Sequence, residues 1–295
     1  MKQLVTFILT ALFSVTLIAQ DKVFTVMAVQ GSVANGGKTV SVGSQLGSNA
    51  VLTLGDKSYV GLLHKSGNSV EFKTAGNYEL KTQHDKLASK TKGFQQKYMD
   101  YVVNGVTAKN SGGSYQRNMS VTGSVDRALA KNEIIIPLPM KVTLITDKFG
   151  VEWMDEAKDQ TYTVVVMNMK EEPVAKFEST TSSAQVDLSQ IALETEQYYL
   201  MTVYSKNGKR KSNTVNFYVP SANEKKQLMD ELREVTESLD LESSVGLAAF
   251  GQICEDRKLL LEALQAYKKA KELSPDIDYF SNTYKNFLDE VVAQL

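Results

Sequence analysis

Side chains that commonly perform nucleophilic or metal chemistry are scarce in this chain of 295 residues. It contains two histidines, His64 and His84, and one cysteine, Cys254. The histidines are twenty residues apart and lack an HExxH pattern, which is a weak indication of a metal site. We expect both at the surface or in turns. Cys254 lies in a helical apolar pattern, where the role of a small buried hydrophobic residue is expected.

Motifs of the common catalytic sites are also missing. The sequence has no GxSxG, HExxH, GxGxxG, CxxC or P-loop pattern. Carboxylate pairs are chemically conceivable, but the acidic residues lie among lysines, and a glycosidase needs its pair in an aromatic-lined cleft. We predict no catalytic residue, no metal site, no cofactor and no enzymatic activity. A hydrolase is the least favoured alternative.

A pattern near the carboxyl terminus gives a better basis for binding. In the 34-residue unit that starts at Ser244, a pattern of apolar, small and aromatic residues that ends in a proline occupies relative positions 4, 7, 8, 11, 20, 24, 27 and 32. These are Leu247, Phe250, Gly251, Cys254, Ala263, Tyr267, Ala270 and Pro275. The pattern resembles the tetratricopeptide repeat, a helix–turn–helix in which small residues let two helices approach closely. The resemblance implies a helical domain over residues 221–295.

The same resemblance implies a concave binding face on the first helix of the repeat. The matching positions are Val245, Ala248, Gln252, Glu255 and Asp256. An apolar floor with a polar rim suits a basic or extended peptide from a partner protein. One repeat cannot bury its apolar face alone, so flanking helices must cap it. The alternative is that these helices fill the groove and leave a plain bundle.

The elements that position these residues begin with a glycine-rich β pattern. Residues 29–80 hold nine of the eighteen glycines, and short runs such as TVSV and AVLTL alternate apolar and polar residues between them. This pattern is typical of short antiparallel strands joined by tight turns. We therefore predict a small antiparallel β domain over residues 20–83.

Within this domain, GSV, a VG-x-x-L step, VLTLGDKSYVGLL and GNSVEFKTAGNYEL follow one another. The order resembles the FecR-type periplasmic domain. The resemblance implies that fold and a location in the cell envelope. Regulatory members of the family carry a cytoplasmic helical segment and a membrane-spanning helix before this domain, and the present sequence has neither, so their signalling role is not expected here.

The next two segments differ in composition. Residues 84–110 carry an apolar stripe at helical spacing, which predicts one amphipathic helix. Residues 111–132 are rich in Gly, Ser and Asn and are predicted to form a flexible linker or loop.

A second β pattern covers residues 133–220. Seven short runs, from IIIPLPMKVTLIT to NTVNFYVP, are separated by turn signals. Seven strands with Trp153 on an early strand resemble an immunoglobulin-like or fibronectin type III sandwich. After Pro220, Ser221-Ala222-Asn223 offers an N-cap to the helix that follows.

The amino terminus has the layout of a secretory signal peptide. Lys2 is positively charged, residues 4–18 form an apolar and hydroxyl run, and Ala19 is a small residue suited to cleavage. The run is shorter than the roughly twenty residues that span a bilayer, so a membrane anchor is the weaker alternative. No cysteine follows the run, which argues against a lipoprotein. We predict a signal peptide over residues 1–19, export to the periplasm with peripheral attachment to the outer membrane as an option, and no membrane span in the mature chain.

These segments together predict a multidomain α+β protein with a small antiparallel β domain, an immunoglobulin-like β-sandwich and a C-terminal α-helical, tetratricopeptide-like bundle. The net charge of −1 gives no reason to expect nucleic acid as a partner. We predict a non-catalytic cell-envelope scaffold or adaptor that binds other envelope proteins. The alternative is a protein that binds peptidoglycan or another cell-wall glycan, with Tyr59, Tyr78 and Trp153 as aromatics for sugar stacking. Trp153 is expected in the core.

Overall fold

The computed structural model describes residues 21–88, 96–110, 134–138, 141–159 and 161–292. These residues form a mixed α+β protein with fifteen strands in four sheets and with six helices. Four of the helices make up a C-terminal helical region. The predicted signal peptide (1–19) and the predicted linker (111–132) lie outside the described residues.

The first β region contains eight short strands. They are β1 (Lys22–Gln30), β2 (Val33–Asn35), β3 (Lys38–Thr39), β4 (Gln45–Gly47), β5 (Val51–Leu54), β6 (Tyr59–His64), β7 (Ser69–Phe72) and β8 (Gly76–Glu79). They form two antiparallel sheets, in the orders β4-β1-β6-β7 and β3-β2-β5-β8. Residues from both sheets share one core, to which β5 contributes Leu52 and Leu54 and points the intervening residue outward.

Strand β6 departs from the predicted alternation of apolar and polar residues. All six of its residues are buried. Leu62 lies in the core between the two sheets, whereas Leu63 lies in a second core that is shared with helices. The strand is buried on both faces because helices cover the face that would otherwise meet solvent.

Two helices follow β8, namely α1 (Leu80–Ala88) and α2 (Gln96–Asn110). Helix α1 therefore starts before the predicted end of the β domain at residue 83. Its buried residues Leu80 and Leu87 lie two turns apart on one face and join the core between the sheets. The segment predicted as one helix over 84–110 contains the rest of α1 and all of α2, and residues 89–95 between them are not described.

The second β region contains seven strands, each overlapping one of the seven predicted runs. They are β9 (Lys141–Thr143), β10 (Lys148–Glu152), β11 (Tyr162–Met167), β12 (Pro173–Ser179), β13 (Ser183–Asp187), β14 (Gln197–Ser205) and β15 (Val215–Val219). Strands β10 and β13 pair with each other, and the remaining strands form a sheet in the order β12-β11-β14-β15-β9. Trp153 is 4% exposed, as expected, and its ring lies 5.1 Å from that of Tyr162.

The C-terminal region consists of α3 (Ala222–Ser238), α4 (Ser244–Asp256), α5 (Leu260–Leu273) and α6 (Asp278–Val292). Ser221 caps α3 as predicted, because its side chain accepts a hydrogen bond from the Glu224 amide at 3.2 Å. Helices α4 and α5 form a hairpin, and the hairpin contacts both β regions. Ala248 of α4 shares a core with Leu63 of β6, and Leu261 of α5 lies in the core of the second β region.

Candidate functional site

Helix α4, which carries the predicted partner-binding residues, packs directly against strand β6. Val245 is fully buried and faces Gly61 across this contact. A methyl group at Gly61 would lie 2.5 Å from Val245 Cγ2, closer than carbon atoms approach in proteins. Glycine at this position is therefore what lets the helix lie close to the sheet.

Helix α2 covers the adjoining part of α4. The Gln252 side chain lies over Gly105 of α2, where any Cβ would overlap its carboxamide. Ala248 is 3% exposed and belongs to a core that also contains Val102 of α2. This face of α4 is thus occupied by α2 and β6.

The last two predicted residues lie at the end of α4. Glu255 is half-buried and accepts a hydrogen bond from the Tyr267 hydroxyl at 2.7 Å. Burial, and then the nearby Glu255 carboxylate, raises the pKa of Tyr267 well above its usual value. Asp256 is exposed. Asp256 is therefore the most accessible of the four predicted partner-binding residues Ala248, Gln252, Glu255 and Asp256, and partner binding by them stays a prediction.

An opening that we name the hairpin cleft lies between the β10–β13 pair and helices α5 and α6. Its volume is about 500 Å³. Its polar and aromatic lining includes Lys148, Glu152, Gln185, Gln265, Lys268 and Tyr284. Phe149 and Leu264 add apolar surface. The cleft thus combines apolar surface with both signs of charge.

The charges of the hairpin cleft are partly paired. Lys268 makes a short ion pair with Glu152 and lies 3.9 Å from a Glu272 carboxylate oxygen. The hydrogen bond to Glu152 raises the pKa of Lys268. Lys269 also lines the cleft and is exposed, with no ion pair to the described residues. The Lys268–Glu152 pair joins α5 to β10, and Lys269 is an unpaired charge of the cleft.

The two histidines form one hydrogen-bonded chain rather than lying apart at the surface. His64 is 1% exposed, so the expectation of a surface position was wrong for this residue. Its Nδ1 lies 3.1 Å from the backbone nitrogen of Ser66, and its Nε2 lies 2.9 Å from Nδ1 of His84. A backbone N–H can only donate, so Nδ1 of His64 is an acceptor. The neutral ring therefore carries its proton on Nε2 and donates it to His84.

The environment of His64 keeps this ring neutral. Burial, followed by the effects of His84 and Lys65, lowers the pKa of His64 to about 4. The pair is thus held by a proton between its two nitrogens. Across the described ranges, no group of three or more His, Cys, Asp or Glu side chains could hold a metal ion.

The aromatic side chains that could stack on a sugar are mostly inaccessible. Tyr59 and Trp153 are 1% and 4% exposed. Tyr78 is half-buried, its ring stacks on Phe72 at 4.1 Å, and its hydroxyl donates to the Thr74 carbonyl. Tyr78 is therefore the accessible member of the three predicted residues. The exposed Tyr198, beside Tyr218, is an aromatic that sequence reasoning did not select.

Two ionisable side chains of the helical region, Cys254 and Glu262, have raised pKa values. Burial raises the pKa of the Cys254 thiol, so it is not a nucleophilic thiolate at neutral pH. Burial also raises the pKa of Glu262 to about 7, and one of its carboxylate oxygens has no hydrogen-bond partner. Neither group lines the hairpin cleft. We therefore assign both to the packing of the helices.

Comparisons with known proteins add little to this geometry. No protein-family model matches the chain, and no curated protein matches its sequence. A solved structure that is similar in part is that of a β-1,2-glucanase from Parabacteroides distasonis, with 16% sequence identity and a TM-score of 0.25. The match covers 47% of this chain and spans 24% of the glucanase chain. A likeness at this TM-score supports no conclusion on fold or activity.

In the ranges that the structure describes, no helix has both the length and the apolar composition to cross a membrane.

Proposed function

We propose that this protein is a non-catalytic scaffold or adaptor of the bacterial cell envelope. The proposal includes export through the amino-terminal segment and a periplasmic location. It treats the first β region as FecR-like, the second as an immunoglobulin-like sandwich and the α4–α5 hairpin as tetratricopeptide-like. These assignments rest on the sequence patterns described above.

One observation supports the scaffold role best: the α4–α5 hairpin is in contact with both β regions and leaves the hairpin cleft open beside it. Helix α4 is buried against β6 and α2, while α5 forms one wall of the cleft. A helix pair packed on two β regions holds them at a fixed spacing. The cleft then presents a preformed surface, which lowers the entropic cost of binding an extended segment of a partner.

A photocrosslinking experiment tests this proposal. Gln265 is exposed on α5 within the cleft, and Thr39 is exposed on β3 away from it. A photoreactive amino acid at Gln265 is expected to capture one envelope protein in intact cells, whereas the same group at Thr39 captures it at background level. No specific adduct at Gln265, or the same set of adducts at both positions, would contradict a binding role for the cleft.

The glycan-binding alternative has weaker support. Two of its three predicted aromatics are buried, and Tyr78 is held by Phe72 and Thr74. We keep glycan binding as an alternative proposal, which retention of the protein on purified peptidoglycan would support.

A further inference from the structure

Two loops that carry lysines meet at one end of the second β region. Tyr162, the first residue of β11, pairs with Ser205, the last residue of β14. The loop that precedes β11 and the turn that follows β14 therefore lie side by side. We name the four lysines of this end, Lys158, Lys206, Lys209 and Lys211, the lysine tip.

The lysines of the tip are accessible and free of anionic partners. All four are exposed, and none of them forms an ion pair with a described residue. Many lysines elsewhere are paired, such as Lys65 with Asp21 and Lys225 with Asp147. The tip thus places four unpaired positive charges on two adjacent loops.

Arg210 pairs with two carboxylates near the tip and offsets one of their two negative charges. Its guanidinium binds Asp155 through two bonds of 2.7 and 2.8 Å and also binds Asp159 at 2.5 Å. Asp155 is completely covered by this pairing. Exposed Glu156 and Glu178 are the carboxylates that stay near the tip, and Glu178 accepts a hydrogen bond from Thr163. The Arg210–Asp155–Asp159 cluster carries one net negative charge and the two glutamates carry two more, so the four lysines exceed the negative charge near them by one.

The turn that presents three of the lysines has a defined shape. Ser205 Oγ donates to Asn207 Oδ1 at 2.9 Å and accepts from the Arg210 amide at 3.1 Å. Asn207 Oδ1 also accepts from the Lys209 amide. Gly208 has a φ of 66°, which allows the tight reversal. Because the backbone is already ordered, binding costs the turn little conformational entropy.

The tip lies at the end of the sheet opposite the start of helix α3. Strands β14 and β15 are antiparallel, so the turn at Ser205 and the end of β15 at Val219 lie at opposite ends of the sheet. Helix α3 begins at Ala222, directly after that far end. The lysine tip thus lies at the end of the sheet opposite the start of α3, and neither it nor its loops line the hairpin cleft.

We propose that the lysine tip binds the anionic phospholipid surface of a membrane and holds the protein there peripherally. All four lysines are exposed on a turn and a loop at one end of the sheet, so lipid phosphates can approach them. Each lysine near such a surface adds electrostatic attraction, which salt screens. This inference is independent of the partner-binding proposal, because the tip and the hairpin cleft share no residue.

Vesicle co-sedimentation tests this inference. The purified protein is mixed with vesicles of phosphatidylethanolamine that contain about one third phosphatidylglycerol, and with vesicles of phosphatidylcholine alone. We expect binding to the anionic vesicles that weakens at least tenfold between about 0.05 and about 0.5 M salt, and little binding to the neutral ones.

Two quadruple variants separate the tip from net charge. Lys158, Lys206, Lys209 and Lys211 are replaced by Gln in one variant; exposed Lys22, Lys38, Lys141 and Lys170 are replaced by Gln in the control, which has the same net charge. The tip variant is expected to lose at least tenfold in anionic vesicle binding, and the control to keep most of it. Equal binding by both variants, salt-insensitive binding of the unaltered protein to neutral vesicles, or binding to soluble dextran sulfate without binding to vesicles would overturn the inference.

Discussion

His64 donates a hydrogen bond from Nε2 to Nδ1 of His84 over 2.9 Å, and this bond joins strand β6 to helix α1. The direction of the bond is fixed because Nδ1 of His64 already accepts from the Ser66 amide. A second proton on the His64 ring would turn Nδ1 into a donor and break its bond with the Ser66 amide. The arrangement is therefore stable with the His64 ring neutral.

This pair predicts that the protein loses stability in mild acid. The pKa of His64 is about 4 in the folded protein and 6.5 in the unfolded chain, so the unfolded chain binds the proton more readily. The free energy of unfolding should be independent of this group above pH 6.5 and fall between pH 6.5 and 4. The slope is at most about 1.4 kcal/mol per pH unit. Urea unfolding across this range measures it.

His64→Gln is the control for this pH dependence, because carboxylates also titrate between pH 6.5 and 4. We expect the variant to be less stable than the unaltered protein at pH 7.5 and the difference to narrow as the pH falls to 4. A difference that does not change with pH would show that His64 is not responsible.

Gly61→Ala should displace helix α4 from the sheet. The added methyl group would meet the Val245 side chain at 2.5 Å, and overpacking of this kind typically costs about 1–3 kcal/mol. Val245→Ala removes the opposing methyl groups, so the double variant should be destabilised by less than the sum of the two single changes. A double-mutant cycle from urea unfolding gives the coupling. Strict additivity would mean that the contact between β6 and α4 does not limit packing here.

Arg210→Met should strongly destabilise the second β region. It would leave the Asp155 carboxylate, whose side chain is fully buried, without its cation, which typically costs about 3–5 kcal/mol. Burial alone raises the pKa of Asp155, but hydrogen bonds from Arg210 and Tyr162 outweigh this and lower it. Adding Asp155→Asn should restore part of the loss. Thermal unfolding checks this, and a double variant no more stable than Arg210→Met would argue against charge burial as the cause.

Local features of the fold were predictable because they depend on neighbours in sequence. Glycine-punctuated alternation predicted short strands, and Ser221 was recognised as a cap because its partner lies three residues on. The burial of Trp153 followed from its place on a strand of a predicted sandwich.

Features that depend on distant segments were not predictable. His64 is buried because Phe24 and His84 close over it, forty and twenty residues away in sequence. Strand β6 is buried on both faces because helix α4 covers the face that does not meet the second sheet, and no periodicity within β6 indicates this. Glu152 of β10 and Lys268 of α5 lie far apart in sequence, so no local pattern predicts that they meet at the hairpin cleft.

Partner capture through the hairpin cleft is the most direct test of the scaffold account. Gln265→Trp fills the cleft from α5, and Thr39→Trp adds the same surface elsewhere. After crosslinking of intact envelopes, the unaltered protein and Thr39→Trp should each recover one stoichiometric protein partner, and Gln265→Trp should recover at least tenfold less of it. The account would be contradicted if no stoichiometric partner is recovered, or if Gln265→Trp recovers as much partner as Thr39→Trp.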